Sequence, residues 1–310
     1  MISLAPDAYH IPVLAAEVAA LLAGARTVLD GTLGGGGHSH LLLTHGSDVA
    51  AIDRDPRAIA EARALLADYE RAGRFRPFLG NFSSVDGIDA LRGERFDGVL
   101  LDLGVSSHQL DDQTRGFSFR EGAPLDMRMG ADAKQSAAEL LNEAPDQQLM
   151  QLFREYADER KAPRLAREIV KRRATVPFAT SDHLVNAIRG ALGPRSGPGD
   201  FARIFQAIRI EVNDELGALE RALPSLRDRL TPGGVMAVIS YHSGEDRVVK
   251  HAFRDWSNPC TCPPRQPRCV CGAVALGESV TRKAVTAGAR ELAQNPRARS
   301  ARLRAWRRAA

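Results

Sequence analysis

Four consecutive glycines, Gly34 to Gly37, separate a short apolar segment from a helical pattern. From position 28 to 38 the chain reads Val-Leu-Asp-Gly-Thr-Leu-Gly-Gly-Gly-Gly-His. A glycine-rich turn between a strand and a helix lets the backbone approach a ligand closely, because no Cβ intrudes. The helix that follows offers N–H groups to an electronegative ligand. The stretch therefore predicts a nucleotide-like ligand on an α/β fold.

Short apolar segments alternate with helical patterns through the first hundred residues, which is typical of βαβ units and a parallel sheet. Strands are predicted at 27–30, 49–52, 75–79, 98–103 and 234–240, and helices at 38–45 and 56–67. Between 108 and 223 helical patterns dominate and no strand is predicted. We therefore predict a Rossmann-like, mostly parallel α/β domain built from 1–107 and 224–310, with an all-helical substrate-recognition domain, 108–223, inserted between its fourth and fifth strands.

The residues around the glycines discriminate between nucleotide-like ligands. A phosphate-binding P-loop needs Gly-Lys-Ser/Thr after the glycines, where this chain has His38 and Ser39. The dinucleotide pattern Gly-x-Gly-x-x-Gly fits only loosely. The Asp-x-x-x-Gly-x-Gly pattern of methyltransferases fits better, through Asp30, Gly34 and Gly36. A methyltransferase is favoured, while an NAD-linked oxidoreductase and a turn without a ligand stay open.

Two acids follow the second predicted strand. Asp53 is placed where an acid binds both ribose hydroxyls of a nucleotide-like ligand. Asp55 directly precedes Pro56 and the predicted helix, so it is the better candidate for a helix cap. Phe82, after the third strand, is either a surface for an adenine ring or a core residue.

The fourth and fifth strands end in the two candidate catalytic residues. Ligands of open parallel sheets bind outside the carboxyl ends of the strands, which is where the sequence places Asp102 and His242. A carboxylate that accepts hydrogen bonds from an exocyclic amine would localise the nitrogen lone pair. Asp102 is predicted to do this or to hold the cofactor. For His242, proton transfer or a base contact stands beside a merely structural capping role.

Basic residues cluster in two segments, although the net charge is only +4. Residues 282–310 contain nine Arg or Lys and one acid, and residues 151–175 contain eight basic and four acidic side chains. Such clusters suit a polyanion such as RNA, or are simply solvated faces. No apolar segment approaches the roughly 20 residues that span a bilayer, so we expect a cytoplasmic protein that does not enter a membrane.

All four cysteines lie in one short stretch, at positions 260, 262, 269 and 271. Four thiolates so close in sequence are able to form a structural zinc knuckle, and a disulfide is disfavoured in a reducing compartment. Cys260, Cys262, Cys269 and Cys271 are left without an assigned metal at this point, because thiols without a metal explain the sequence equally well.

Several motifs together make the chain resemble the bacterial 16S ribosomal RNA cytosine-N4 methyltransferases, the MraW family. The motif at 115–120 reads Arg-Gly-Phe-Ser-Phe-Arg and the one at 124–129 reads Pro-Leu-Asp-Met-Arg-Met. The other matching stretches are 10–14, 30–39, 51–56, 100–110, 205–216, 240–250 and 295–300. In combination they are highly specific.

The resemblance implies a class I S-adenosylmethionine-dependent methyltransferase fold with an inserted helical domain. It implies that the acceptor is the N4 amine of cytosine 1402 in 16S ribosomal RNA of the small subunit. It also implies the residues that hold S-adenosylmethionine, which are Gly36, Gly37, His38, Asp53, Phe82, Asp102 and Gln109. The family offers no general base to transfer, and the resemblance leaves the oligomeric state open.

Overall fold

The computed structural model of the protein describes residues 12–263, 266 and 270–310, and for residues 107 and 108 it describes the backbone only. Within this part of the chain seven strands form one sheet in the order β3-β2-β1-β4-β5-β7-β6. The strands are β1 (Thr27–Asp30), β2 (Asp48–Asp53), β3 (Phe75–Leu79), β4 (Phe96–Asp102), β5 (Leu230–Ser240), β6 (Gly277–Ser279) and β7 (Arg302–Arg308). Strands β1 to β5 are parallel, and β7 is antiparallel to both of its neighbours. This confirms the predicted Rossmann-like, mostly parallel α/β architecture.

Helices connect the strands and also fill the long interval between β4 and β5. They are α1 (Ala15–Leu21), α2 (Gly37–Thr44), α3 (Pro56–Leu65), α4 (Ala67–Arg71), α5 (Ser107–Asp111), α6 (Ala137–Glu143), α7 (Asp146–Ala157), α8 (Ala162–Arg173), α9 (Ser181–Leu192), α10 (Pro198–Asn213), α11 (Glu215–Asp228), α12 (Ser243–Ser257) and α13 (Ala289–Gln294). Among the described residues, no helix combines the length and apolarity that crossing a bilayer requires.

The chain divides into two compact units. The α/β unit comprises the chain up to Gly104 and again from Leu216, and the helical unit comprises Val105–Glu215. The predicted end of the insertion, at 223, falls inside α11, nearly all of which belongs to the α/β unit. Helix α11 belongs to the α/β unit because three of its leucines, Leu219, Leu223 and Leu226, pack into a core on one face of the sheet. Periodicity in the sequence shows that α11 is a helix but not which core it joins.

The sheet is buried on both faces. Val28 and Val49 belong to one apolar cluster, whereas the adjacent Leu29 and Ala50 belong to the other. Successive side chains of a strand point to opposite faces, so helices must cover both sides of this sheet. The result is that only the ends of the central strands remain available for a ligand.

The helical unit has a core of its own, and the family motifs build part of it. Leu125 and Met127 are buried there beside residues of α6 to α10. Asn213, at the end of α10, accepts a hydrogen bond from the backbone N–H of Met129 at 2.8 Å and donates one to the carbonyl of Met127 at 2.7 Å. The positive φ of Met127, 60°, is held in place by these bonds. The motif at 124–129 therefore has a structural task in this unit.

Basic side chains line one face of α8 and the turn that precedes it. Ala162, Leu165, Ala166 and Ile169 are buried, whereas Arg160, Arg164, Arg167 and Lys171 are exposed. We call these four exposed residues the basic stripe. In the described part of the chain, none of the four forms an ion pair with a carboxylate, so their charge is not neutralised locally.

Gly116→Ala is expected to destabilise the helical unit strongly. Gly116 has a φ of +72°, and a Cβ there would lie 2.0 Å from the carbonyl oxygen of Pro124. Gly122 is a matched control, because its φ is +75° but a Cβ would meet nothing within 4 Å. Gly122→Ala should cost about 1–2 kcal/mol of unfolding free energy for the backbone conformation, and Gly116→Ala about 1–3 kcal/mol more for the clash. Urea unfolding followed by circular dichroism measures both; equal losses would refute the clash.

Candidate cofactor site

Three neighbouring parallel strands each end in an aspartate. In the order β2, β1 and β4, the last residues are Asp53, Asp30 and Asp102. The direction in which strands are added to the sheet reverses between β1 and β4. Such a reversal opens a crevice outside the carboxyl ends of the strands, where ligands of doubly wound sheets bind. The α/β unit thus places three carboxyl groups at the edge where the sequence predicts a site.

The glycine-rich turn after β1 leaves little room for a Cβ at two of its positions. At Gly36, which directly precedes α2, φ is +82° and a Cβ would lie 3.3 Å from the Cβ of Ala62. At Gly31 a Cβ would lie 2.5 Å from Cδ2 of Leu101 and 3.2 Å from the Cβ of Phe82. No side chain caps the N-terminus of α2, where Gly37 is the first helical residue. The N–H groups of its first turn thus have no helical partner and suit an electronegative ligand.

The glycine turn is hydrogen-bonded to both flanking strand ends. The N–H of Gly34 donates to Oδ2 of Asp53 at 2.8 Å, and the N–H of Asp102 donates to Oγ1 of Thr32 at 2.6 Å. The carboxylates also repel one another electrostatically. Burial is the main reason that the pKa values of Asp53 and Asp30 are raised, and the charge of Asp30 adds to the rise at Asp53 as the charge of Asp102 does at Asp30. The turn and the three aspartates therefore form one connected group.

Asp30 lies inside the protein rather than on a ligand-binding surface. Its side chain is fully buried, Oδ2 accepts a hydrogen bond from Oγ of Ser39 at 2.7 Å, and Oδ1 accepts one from the N–H of Thr32 at 3.1 Å. Burial raises the pKa of this carboxyl, against the hydrogen bond from Ser39. Asp30, the first residue of the methyltransferase pattern in the sequence, therefore ties the turn to α2.

Asp53 keeps part of its surface open while its carboxylate is held by the backbone. Oδ1 accepts a hydrogen bond from the N–H of Asp55 at 2.9 Å, and the bond from Gly34 fixes Oδ2. Burial raises the pKa of Asp53 to about 6, although both backbone hydrogen bonds oppose the shift. Each oxygen retains a second lone pair, so a ligand hydroxyl can still be accepted. Asp55 caps α3 as predicted, accepting from the N–H of Arg57 at 3.0 Å.

Asp102 has a partner that sequence reasoning missed. The hydroxyl of Tyr241 donates to Oδ1 of Asp102 at 2.9 Å. Burial raises the pKa of Tyr241 above its usual range, and the charge of Asp102 adds to the rise, so the phenol stays protonated and remains a donor. Asp102 is 24% exposed, which leaves its carboxylate accessible to a second donor.

His38 is buried beside Asp102 with unsatisfied polar atoms. Its Nε2 lies 3.5 Å from Oδ2 of Asp102, too far for a good hydrogen bond, and within the described chain neither ring nitrogen has a hydrogen-bond partner. Buried polar atoms without partners are rare in native proteins, and a functional role is one explanation for them. His38 therefore supports a ligand at this edge of the sheet.

His242 has a structural role. Its Nδ1 accepts a hydrogen bond from the N–H of Glu245 at 3.4 Å, which caps α12, and its Nε2 lies 3.3 Å from Oε1 of Glu245. The buried Glu245 also accepts from the N–H of Tyr241 at 2.8 Å. This network fixes the turn that carries Tyr241. A proton-transfer role for His242 stays a prediction.

Phe82 packs against the core of the α/β unit, and Gln109 is bonded to the backbone of the helical unit. Phe82 begins a 3-10 helix, Phe82–Gly87, after β3 and packs partly buried against the core of the α/β unit. Gln109 is buried on α5 in the helical unit, where its Oε1 accepts a hydrogen bond from the N–H of Ser106 at 3.1 Å. Both cofactor roles stay predictions.

The comparisons with known proteins extend over almost the whole chain. The model of the MraW methylase family matches residues 7–309. A ribosomal RNA small subunit methyltransferase H from Gemmatimonas aurantiaca is 63% identical over 299 residues, covering 96% of this chain and 95% of that protein. Proteins of the same name from Geobacter sulfurreducens and Heliobacterium mobile are 48% and 45% identical, each over 306 residues, with 96% of this chain and 97% of each relative covered. The chain therefore belongs to the MraW methylase family, as its motifs predicted.

Proposed function

We propose that this protein transfers a methyl group from S-adenosylmethionine to the N4 amine of a cytosine in 16S ribosomal RNA, by resemblance cytosine 1402, in the small ribosomal subunit. Membership of a methylase family indicates S-adenosylmethionine as the methyl donor. The observation that carries the proposal is the hydrogen-bonded connection of the glycine turn to Asp53 and Asp102 at the carboxyl edge of the sheet.

The residues present fit the proposed cofactor. Asp53 offers carboxylate lone pairs to the two ribose hydroxyls, and the turn from Gly34 to Gly37 offers close backbone approach to the amino-acid part. The unsatisfied ring nitrogens of His38 offer hydrogen-bonding capacity beside Asp102. When bound, S-adenosylmethionine supplies an electrophilic methyl group on a sulfonium. Phe82 and Gln109 complete the proposed cofactor set, together with Gly36, Gly37 and Asp102.

Asp102 is the proposed acceptor-positioning residue. The amine of cytosine is a weak nucleophile, because its lone pair is delocalised into the ring. A carboxylate that accepts an N–H from this amine localises the lone pair and aligns it for attack. The Tyr241 hydroxyl donates to Oδ1 of Asp102 and thereby orients the carboxylate. Oδ2, which lies 3.5 Å from Nε2 of His38, is the oxygen proposed to accept from the amine. His242 is a secondary candidate, because it directly follows Tyr241 and its buried Nε2 has no hydrogen-bond partner among the described residues.

Ribosomal RNA as the substrate class is supported by the relatives and by charge. The similar proteins carry the name ribosomal RNA small subunit methyltransferase H. The basic stripe on α8 presents charges that have no carboxylate partner in the described part of the chain, as a phosphate-binding surface requires. The C-terminal basic segment contributes less than its composition suggests, because Arg304 bonds Asp246 at 2.7 Å and Arg302 lies 3.3 Å from the same carboxylate.

Transfer of tritiated methyl groups to small ribosomal subunits that lack the modification tests the function. The proposal expects incorporation, with N4-methylcytidine as the labelled nucleoside and position 1402 as the labelled site. A protein that only binds RNA would give no counts above background. Label in another nucleoside would refute the acceptor. Calorimetric titration with S-adenosylmethionine and with NAD separates a methylase site from that of an NAD-linked oxidoreductase.

Reversal of three charges in the basic stripe is expected to weaken RNA binding. In the variant Arg160→Glu, Arg164→Glu, Arg167→Glu, the slope of log K against log salt should flatten by about 2, because three phosphate contacts are lost. The matched control reverses Arg71, Arg92 and Arg254, which are exposed in the α/β unit and already lie beside aspartates. Equal slopes for the two variants would show that the stripe is only a solvated face and that the helical unit does not bind RNA through it.

A further inference from the structure

Three cysteine sulfurs converge in the segment between α12 and β6. The Sγ atoms of Cys260, Cys262 and Cys271 all lie within 4.8 Å of one another. The Sγ atoms of Cys260 and Cys271, which are eleven residues apart in sequence, are 3.7 Å apart. The fold therefore brings two distant parts of this segment together at their thiols, and the proposed methyl transfer does not account for this.

The separation of the Cys260 and Cys271 sulfurs, 3.7 Å, matches that of two ligands on one metal ion. Zinc binds thiolates at about 2.3 Å in a tetrahedron, which places neighbouring sulfurs about 3.8 Å apart. A disulfide would require a separation of about 2.05 Å. The N–H of Val270 also points at Sγ of Cys262, at 3.4 Å. Backbone N–H groups directed at sulfur are the outer contacts that stabilise a metal-bound thiolate.

The described residues around these cysteines are largely exposed. Val270 and Val274 are 75% and 78% exposed, and Cys260 and Cys271 are exposed as well. Backbone hydrogen bonds fix the end of the segment, from the N–H of Leu276 to Trp256 and from the N–H of Ala309 to Leu276, each 2.9 Å long. A chain segment without a core needs a cross-link to keep one conformation, and a structural metal supplies it.

We infer that Cys260, Cys262 and Cys271 bind a structural zinc ion that holds this segment in its folded conformation. Binding converts each thiol to a thiolate and releases its proton, so the affinity rises with pH. Thiolate ligands favour zinc over magnesium or calcium, which prefer oxygen. Cys269 repeats the Cys-x-Cys spacing in the sequence and lies outside the described residues; whether it supplies the fourth ligand is decided by a variant.

Metal analysis of the purified full-length chain tests the inference. The parent protein and the control Thr261→Ser, altered between two of the cysteines, should each contain about one zinc ion per chain. Cys260→Ser and Cys271→Ser should lower the affinity for zinc at least about tenfold. A parent protein that takes up no zinc when the metal is supplied would overturn the inference. So would full zinc content in the variant Cys260→Ser, Cys262→Ser, Cys271→Ser, or a Cys260–Cys271 disulfide found by peptide mapping of the parent protein.

Two measurements on the unsubstituted chain test the site even if the cysteine variants fail to fold. A chelator should lower the melting temperature, and zinc but not magnesium should restore it. Cobalt in place of zinc should give the thiolate charge-transfer band and the intense visible bands of a tetrahedral site. A weaker charge-transfer band in Cys269→Ser would assign the fourth ligand to Cys269, and an unchanged band would leave the three described thiolates as the ligand set. Absence of both cobalt bands in the unsubstituted chain would overturn the site.

Discussion

Replacing Asp102 by alanine is expected to lower kcat for methyl transfer by about 10²–10⁴-fold, the usual contribution of a positioned acid or base group. The variant loses the carboxylate that ends β4 and the acceptor of the Tyr241 hydroxyl. The measurement is single-turnover methyl transfer at saturating S-adenosylmethionine, because saturation separates the chemical step from any loss of cofactor affinity. A rate within about threefold of the parent would remove Asp102 from the proposed mechanism.

Two further variants distinguish chemistry from structure at Asp102. Tyr241→Phe keeps the ring but removes the donor that orients Asp102, so the rate should fall by less than in Asp102→Ala. Asp89→Ala serves as the control, because this aspartate is exposed and pairs only with Arg92 among the ion pairs described. Its rate and melting temperature should match the parent. A Tyr241→Phe rate equal to the parent's would show that the tyrosine does not position the carboxylate.

Asp53→Ala is expected to weaken binding of S-adenosylmethionine by about 1–3 kcal/mol, the usual cost of an unsatisfied polar partner. This corresponds to roughly a 5- to 150-fold rise in Kd. The matched control is Asp55→Ala, which removes a carboxylate two residues away and costs about 1 kcal/mol of stability through the lost helix cap. Calorimetric titration measures both; an unchanged Kd for Asp53→Ala would exclude the residue from the cofactor site.

The pH dependence of binding gives a second test of Asp53. With its pKa raised to about 6, the carboxylate of Asp53 is ionised at neutral pH, when both of its oxygens accept hydroxyl hydrogen bonds. Protonation turns one oxygen into a donor and weakens the acceptor, so Kd should rise as the pH falls below about 6. The sign for folding is opposite. The pKa of the Asp53 carboxyl is 3.8 in the unfolded state and about 6 in the folded state, so the folded state binds the carboxyl proton more tightly. The contribution of Asp53 to stability is therefore present at low pH and lost as the pH rises through about 6. A site that favours the ligand at neutral pH thus costs the empty protein some stability.

The sequence predicted the elements of the sheet better than its long-range pairing. Strands β1 and β3 have their predicted bounds, because their apolar segments are bounded by clear turn residues. Strand β5 begins at Leu230, four residues before its predicted start. The prediction began too late because Pro232 and two glycines interrupt the apolar pattern of the sequence there. The contact of Tyr241 with Asp102 depends on the β4–β5 register, which pairs Asp102 with Ile239. No local pattern encodes that register, so the tyrosine was missed.

Charge counting was less informative than the strand pattern near the C-terminus. Strand β7 reads Arg-Leu-Arg-Ala-Trp-Arg-Arg, and its composition suggests a surface for a polyanion. Leu303, Ala305 and Trp306 are fully buried in the two cores of the sheet. Arg302 and Arg304, at alternate positions, then both lie beside Asp246 of the α/β unit. A basic segment with period-two apolar residues is better interpreted as a strand first and as a binding surface second.

The placement of the helical unit between β4 and β5 has a kinetic consequence. These strands are neighbours in the sheet, yet a contact such as that of Asp102 with Ile239 must close a loop containing the entire helical unit. Loop closure is entropically costly, and pairings between distant parts of a chain form slowly. Early collapse of the helical unit around its own core would shorten the effective loop. Pulsed hydrogen exchange during refolding should then protect amides of α7 to α10 before those of β5.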